Sequence, residues 1–491
     1  MTIEDLLNTV KQNNPQADLE LVRRAYDFAE AAHQGQLRVS GEPYITHPLA
    51  TAQILAEMRL DTTIIVAGLL HDVPEDTPVT LAEVKKNFGE DVASIIAGIT
   101  KLGKIKYRGV TRYLENLRKM FLAFAKDIRI ILVKFADRLH NLQTLGALPE
   151  KKRYRIALES LEIYAPIAAR LGMGEMRGRL EDASFKYTQP EDYQWVERLE
   201  RETYRQKEEA LEKIKKLTLQ EFGAAGLKVQ KIQTRVKHLY SLYKKLLIHE
   251  KDVSKVHDLM ALRVIVDDIA DCYAALGVVH KLWRPIKGRI KDYIAQPKPN
   301  GYQSLHTTVF CPVDKDVLTV EFQIRTQQMH EDAEYGIAAH WHYTERGSKI
   351  PSRYVTWVKE LAGLQKEMLA ELKLKDIETL KIDVFQNRIF VFTPKGDVLD
   401  LPENATPIDF AYAVHTEIGN KCAGARINDQ LVGLDTTLKN GDIVEIIIDK
   451  NRQGPSPDWL KFSHTHMART QIKAHARSPL TSWLKNRIKK R

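Results

Sequence analysis

Cysteine is scarce in this sequence: Cys272, Cys311 and Cys422 are the only three in 491 residues, far apart and without a CxxC pair. That excludes a disulfide framework or a cysteine-based zinc site, and it suits a reducing cytoplasm. Long apolar runs are lacking too. The longest, "TIIVAGLL", falls far short of the roughly 20 residues that a membrane-spanning helix needs. The N-terminal "MTIEDLLNTV" has neither the basic start nor the apolar stretch of a signal peptide, so no membrane partner is expected. No GxxxxGK[ST] string occurs, which excludes a P-loop nucleotide site, and there is no internal repeat. Acidic residues are nearly missing from the end of the chain. Residues 451–491 hold ten Lys or Arg against one acid, Asp458, and so carry almost all of the net charge of +10. Anion attraction is therefore expected in that tail and not in the nearly neutral remainder.

What is present is ordinary globular material, 44% hydrophobic and 28% charged, in a chain too long for one core. Residues 1–190 read as helices, among them "LVRRAYDFAEAAH", "TTIIVAGLLHD" and "RYRIALESLEIYAPIAARLG", with apolar residues at helical spacing. The charged amphipathic stretch over 191–225 predicts connecting helices. From 226 to 345 short strands ("LKVQKIQTR", "LMALRVIVDD", "TTVFCPV", "LTVEFQIRT") alternate with helices. A helical linker is expected over 346–382. A compact β-rich block follows over 383–450, with a hairpin at "PKGD", and then the basic tail over 451–491.

The pair His71-Asp72 in "GLLHDVPEDT" ends an apolar helix, so its side chains can emerge from a rigid element into a cleft. A His-Asp pair alone is common. Here His47 in "PYITHPLA" and Asp137 in "VKFADRLHNLQTL" offer matching ligands, and Asp137, Asn141 and Thr144 form one polar stripe at i, i+4 and i+7. Two imidazoles and two carboxylates suit a borderline divalent metal such as manganese. Such a metal polarises a phosphoryl oxygen and acidifies bound water. Glu75 and Asp76, close behind the pair, are placed for proton transfer or for orienting that water. His33 and His140 are read as structural.

A second pair, His257-Asp258, is read as opening the strand "DLMALRVIV", and a second acid, Glu321, lies in the strand "LTVEFQIR". Two carboxylates on neighbouring strands can share a magnesium, which prefers oxygen ligands and bridges phosphates. Cations surround them: Arg235, Lys237, His238, Lys244 and Lys245, then Arg289, Lys291 and Lys298. Tyr302, between Gly301 and Gln303, offers a ring on which a base can stack.

The strings "RVSGEPYITHP", "LLHDVPEDT" and "VKFADRLHN" closely resemble the hydrolase domain of the RelA/SpoT homologue family, a branch of the HD phosphohydrolases. The resemblance implies metal ligands at His47, His71, Asp72 and Asp137, catalytic assistance from Glu75 and Asp76, and nucleotide contacts from Arg38, Asn141 and Thr144. Pro74 departs from the aliphatic residue frequent there and is expected to bend the Glu75-Asp76 segment. "RVKHLYSLYKK", "VHDLMALRVIV", "GRIKDYIAQPKPNGYQSLHTTV" and "VEFQIRTQQMHEDAEYGIAAHW" resemble the family's synthetase domain. That implies magnesium at Asp258 and Glu321, phosphate contacts from Arg235, Lys237, Lys244 and His306, and guanine stacked on Tyr302 near Lys298, Asn300 and Gln303. "RIKD", with Lys291, matches the basic RxKD loop of members that both make and degrade the alarmone. "FAYAVHTEIGNKCAGARIN" resembles a TGS domain, in which the residue matching His415 contacts the tRNA 3′ end in ribosome-bound relatives.

The implied fold is multidomain α and α+β: an all-helical HD hydrolase domain, a mixed-sheet nucleotidyltransferase-like synthetase domain and a β-grasp TGS domain. The implied function is bifunctional. Pyrophosphate passes from ATP to the 3′-hydroxyl of GDP or GTP, giving (p)ppGpp, and a second site removes it. Long family members continue into further regulatory domains, and this chain stops at Arg491, so a short form is expected, with uncharged tRNA and the ribosome as partners only through the TGS domain and tail. The enzyme alternative is a hydrolase with a degenerate synthetase; a non-catalytic tRNA- or ribosome-binding regulator, the alternative from another class, would be free to lose His47, Asp137, Asp258 and Glu321. All four are present.

Overall fold

The computed structural model describes residues 1–103, 123–124, 126–235, 237–253, 260–298, 300–313, 316–339, 388–395, 397–439 and 441–475. His257 and Asp258, the expected linker helix over 346–382 and Trp483 lie outside the described residues. The chain divides into two compact units, Met1–Lys366 and Glu367–Arg491. Among the described residues no helix is long and apolar enough to cross a membrane.

The first unit begins with helices α1 (Ile3–Asn13), α2 (Leu19–Ala32), α3 (Thr46–Glu57), α4 (Thr62–Leu70), α5 (Val73–Asp76), α6 (Leu81–Gly103) and α7 (Arg129–Gln143). α4 is the centre of this region, with every residue from Ile64 to Leu70 buried. Asp61 starts it by accepting the Ile64 N–H at 2.9 Å, an N-cap that satisfies an otherwise unpaired donor. Gly68 lets α3 lie against it, since a Cβ there would run into Leu55. The stretch "RYRIALESLEIYAPIAARLG" is not one helix. It forms α8 (Glu150–Glu159), a π-turn (Ser160–Tyr164) and α9 (Ala165–Arg170), with Pro166 at the start of α9, where its missing N–H does least harm. Helices α10 (Gly174–Thr188) and α11 (Pro190–Ala224) lead on to a sheet.

Strands β1 (Val229–Arg235), β2 (Ala261–Val266), β3 (Arg284–Asp292), β4 (Leu305–Val313) and β5 (Asp316–Thr326) form one sheet in the order β1-β2-β5-β4-β3. Only β2 and β5 run parallel, so the sheet is mixed. Helices α12 (Leu239–Ile248), α13 (Ile269–Leu282) and α14 (Gln327–Tyr335) lie among the strands. Strand alternation sorts the residues by face. Leu262, Val264, Val266, Val320, Phe322, Ile324, Leu305 and Val309 pack with Cys272, Ala275 and Val279 of α13 and with Leu211, Ile214 and Phe222 of α11. Their neighbours Arg263, Glu321, Gln323, Arg325 and His306 therefore share the opposite face. "RIKD", expected as a loop, is the end of the edge strand β3, where Lys291 pairs with His306 and Asp292 with Leu305. Gly288, at φ +75°, sits in the irregularity that precedes it.

The second unit holds a hairpin of β6 (Arg388–Phe392) and β7 (Val398–Pro402), then α15 (Pro407–Val414), α16 (Thr416–Asn420) and a sheet of β8 (Cys422–Ile427), β9 (Gln430–Val432) and β10 (Val444–Ile448) in the order β10-β8-β9. Val391, Leu401, Phe410, Leu438 and Val444 form its core. The basic tail expected over 451–491 is folded over part of its length. Residues 457–461 form a 3-10 turn and 466–475 are helical. Trp459, Ala468 and Ile472 pack with Ile408, Ala411, Tyr412 and Cys422. Trp459 is buried beneath the Arg452 guanidinium, 4.5 Å from its ring centre, and so is not open to stack on an RNA base.

Candidate active sites

His71 ends α4, and Asp72 lies in the turn before α5. Pro74 occupies the first turn of α5, where a missing N–H forfeits no hydrogen bond. The expected bend is thus a break after Leu70 and a short new helix carrying Glu75 and Asp76. His47, in the first turn of α3, and Asp137, on α7, come to the same place. One donor atom each from His47, His71 and Asp137 lies within 4.8 Å of the others. His47 Nε2 is 3.3 Å from Asp137 Oδ1 and 3.5 Å from Asp72 Oδ2, and His71 Nε2 is 3.2 Å from Asp72 Oδ1.

The donor set fits a divalent cation. His71 Nδ1 lies 2.8 Å from the Gly68 carbonyl, a bond that only a protonated Nδ1 can make. In the neutral ring this leaves the Nε2 lone pair facing the cluster, and that atom is buried without a hydrogen bond. Burial by itself would raise the Asp137 carboxyl. Lys134 Nζ, 2.5 Å from Oδ2, and the imidazoles hold it well below the usual range. Asn141 Nδ2 donates to Asp137 Oδ1 at 2.6 Å. Arg38 joins the stripe, donating to Asn141 Oδ1 at 3.3 Å and Thr144 Oγ1 at 3.2 Å. The Glu75 carboxyl is raised by burial.

Three neighbours were missed. The Tyr44 hydroxyl lies 2.6 Å from Asp76 Oδ2 and 3.0 Å from Asp72 Oδ2, so its one proton ties the two acids together. Lys134, three residues before Asp137, reads as an ordinary helix lysine. His140, expected to be structural, has Nδ1 2.7 Å from His47 Nδ1 and 3.2 Å from Arg38. Burial, then His47 and Arg38, push its pKa down to about 3, so it is neutral. Its place three residues after Asp137 was the available signal.

The second cluster lies on the polar face of the sheet, beside a cavity of about 430 Å³. Arg235, Lys298, Asn300, Tyr302 and His306 all line it. His306 links Glu321, at 3.0 Å through Nδ1, to the Tyr302 hydroxyl, at 2.8 Å through Nε2. Gln323 donates to Glu321 at 2.9 Å and accepts from Arg235 at 2.8 Å. Burial works against the Glu321 charge, yet His306, Gln323 and the Lys237 charge bring its pKa down to about 2. Lys298 Nζ sits 5.1 Å from the Tyr302 ring centre, and burial followed by the charges of Lys291 and Arg177 pulls its pKa down to about 8. Glu321 lies opposite Ala261 on the parallel strand β2.

Not every expected contact converges. Lys244 reaches the cavity wall only through Glu181 on α10, at 3.0 Å, and Gln303 is bonded at 3.4 Å to the Ile294 carbonyl. His415 caps α16 in the second unit, accepting the Glu417 N–H at 3.2 Å, and is exposed. Arg177, Arg263 and Arg325 also line the cavity and were not foreseen. Strand alternation from Glu321 was the signal for Arg325. Arg177 comes from a helix far away in sequence.

Residues 25–174 match the HD domain, 234–348 the region found in RelA / SpoT proteins and 389–448 the TGS domain. The chain is 46% identical over 475 residues to a guanosine-3′,5′-bis(diphosphate) 3′-pyrophosphohydrolase of Aquifex aeolicus, covering 96% of this chain and 67% of the relative. It is 44% identical to the bifunctional (p)ppGpp synthase/hydrolase RelA of Mycobacterium tuberculosis, with 96% and 64% covered. To a GTP pyrophosphokinase of Myxococcus xanthus it is 45% identical, with 95% and 61% covered. The chain thus spans about three-fifths to two-thirds of the length of these relatives.

Proposed function

The chain belongs to the RelA/SpoT family, and from that premise we propose that it both makes and degrades (p)ppGpp, with one site for each reaction. The observation that carries the reading is the pair of separate clusters within one compact unit: imidazoles and carboxylates among the helices, and cations, Tyr302 and Glu321 on the sheet. The domain limits proposed remain 1–190 for the hydrolase, 226–345 for the synthetase and 383–450 for the TGS module.

In the hydrolase site His47, His71, Asp72 and Asp137 would hold manganese, which supplies Lewis acidity at a phosphoryl oxygen and lowers the pKa of bound water. Lys134 and Asn141 fix the Asp137 carboxylate, one on each oxygen. Tyr44 holds Asp76 toward Asp72, which suits Asp76 to orienting the attacking water. Glu75, raised by burial, is the better carrier of a proton to the departing 3′-oxygen. Arg38, Asn141 and Thr144 meet the nucleotide.

In the synthetase site Asp258 and Glu321 would hold magnesium, which screens the phosphate charges of ATP. Arg235, Lys237, Lys244, Lys291 and His306 bind phosphates, and Tyr302 carries the guanine with Lys298, Asn300 and Gln303 around it. Glu321 is ionised at neutral pH, so it can share the cation or take the proton of the acceptor 3′-hydroxyl. The His306 link sets it beside Tyr302. In the second unit, His415 is proposed to touch the 3′ end of uncharged tRNA on the ribosome.

The test is direct. Incubating the protein with ATP, labelled GDP and magnesium should yield ppGpp and AMP, and incubating it with ppGpp and manganese should yield GDP and pyrophosphate. Absence of either product removes that half of the proposal. Tyr302→Ala should raise the KM for GDP about 10-fold or more, since a base stacked on an aromatic ring contributes about 1–3 kcal/mol. An unaltered KM would take Tyr302 out of the site.

A further inference from the structure

We infer that Arg177, on α10 of the helical region, binds the phosphates of the guanosine acceptor in the synthetase cavity, and that Glu181 competes with those phosphates for the same cations. This rests on the synthetase reading of the cavity and adds to it two residues from outside the sheet.

α10 is a wall of that cavity. Glu175, Arg177, Gly178 and Glu181 line it opposite Lys298, Asn300, Tyr302 and His306. The approach is too close for slack. A Cβ on Gly178 would run into the His238 ring, and one on Gly336, at φ +55°, would meet the backbone of Leu171 and Gly172. Asp182 fastens the next turn, accepting the Tyr240 N–H at 2.9 Å and lying 2.8 Å from His238 Nδ1.

Within this wall two cations meet at Glu181. Arg177 Nε donates to Glu181 Oε1 at 3.1 Å, and Lys244 Nζ reaches the same oxygen at 3.0 Å. The other oxygen, Oε2, is buried without a hydrogen bond. Two cations thus share one carboxylate oxygen. Arg177 keeps 37% of its side chain exposed, while Glu181 keeps 7%. The charge of Arg177 is also among the causes that lower Lys298, which lies over the Tyr302 ring. A guanidinium fork meets a phosphate through two parallel bonds, which one carboxylate oxygen cannot match. A diphosphate beside Tyr302 would therefore draw Arg177 and Lys244 away from Glu181. Glu181 acts as a competitor of the diphosphate for these two cations.

The two ends of this ion pair should then respond with opposite signs. In the full-length protein with magnesium, GDP binding and binding of a non-reactive ATP analogue are measured by calorimetry, with the unfolding temperature of each variant. Arg177→Ala should weaken GDP binding about 10-fold, the loss expected for a charge-assisted bond, and Arg177→Lys should fall between. Glu181→Gln should tighten GDP binding about threefold by freeing both cations. If the pair only braces α10, both variants lose GDP affinity and melt earlier, and that overturns the inference. Unchanged GDP affinity in Arg177→Ala overturns it too, as does a larger effect on the ATP analogue than on GDP. Tyr302→Ala separates the two levels. If it leaves GDP binding intact, the cavity is not the acceptor site at all. If it weakens binding and Arg177→Ala does not, Arg177 alone is misassigned.

Discussion

Asp72→Ala is expected to abolish ppGpp hydrolysis and to leave synthesis in place. Asp72 lies within 3.5 Å of both His47 Nε2 and His71 Nε2, so its loss opens the proposed metal site. The polarisation such a cation supplies amounts to several kcal/mol of transition-state stabilisation, about 10³-fold or more in rate. Manganese affinity, followed by titration without substrate, should fall together with the rate. Glu321→Gln should do the reverse, because Glu321 belongs to the sheet and to the His306–Tyr302 chain. Loss of both reactions from either change, in a protein that melts at its normal temperature, would sink the two-site reading. Retained manganese affinity in Asp72→Ala would remove Asp72 from the ligand set.

Asp409→Ala should destabilise the second unit by about 3–5 kcal/mol, because it leaves several buried donors unpaired. Asp409 is fully buried. Its Oδ2 accepts the N–H and hydroxyl of Thr406 at 2.9 and 3.0 Å, closing the cap of α15. Its Oδ1 accepts the N–H of His464 at 2.9 Å, and the N–H and hydroxyl of Thr465 at 2.8 and 2.9 Å. One carboxylate thus starts a helix and fastens the segment that follows the TGS sheet. Hydrogen exchange should show residues 463–475 losing protection first, with Trp459 fluorescence shifting to the red as it meets water. Asp409→Asn, which keeps an acceptor but loses the charge, should cost less. Equal protection of 463–475 in Asp409→Ala and the parent would show that apolar packing alone holds the segment. A truncation at 450 is therefore no neutral removal of charge, since it strips Trp459, Ala468 and Ile472 from a core.

The residues by themselves marked the candidate sites wherever reactive groups cluster along the chain or sit at element ends. His71-Asp72 closes an apolar helix, and Asp137, Asn141 and Thr144 repeat at helical spacing, so the residues that gather in the first cluster were legible as candidates before any packing was known. The string from Lys298 to His306 likewise places Tyr302 among polar partners within one turn and one strand. Alternation in "VEFQIRT" was the available signal for an apolar and a polar face, whereas "ALRVIV", buried throughout, shows none. Tertiary structure decided what periodicity does not encode. "RIKD" is an edge strand because its pairing is made by backbone groups, and its exposed polar side chains show no strand alternation. Trp459 is buried because a later helix folds over it, although Asp458 and Lys461 flank it in a basic segment. Arg177 and Glu181 meet Lys244 only because α10 packs against α12, where Gly178 leaves room for the His238 ring. Lys134 and Tyr44 look like a surface lysine and a packing aromatic until the fold puts them on Asp137, Asp72 and Asp76. A side chain's role there depends on which distant group arrives beside it, and that is set by how the helices and the sheet pack.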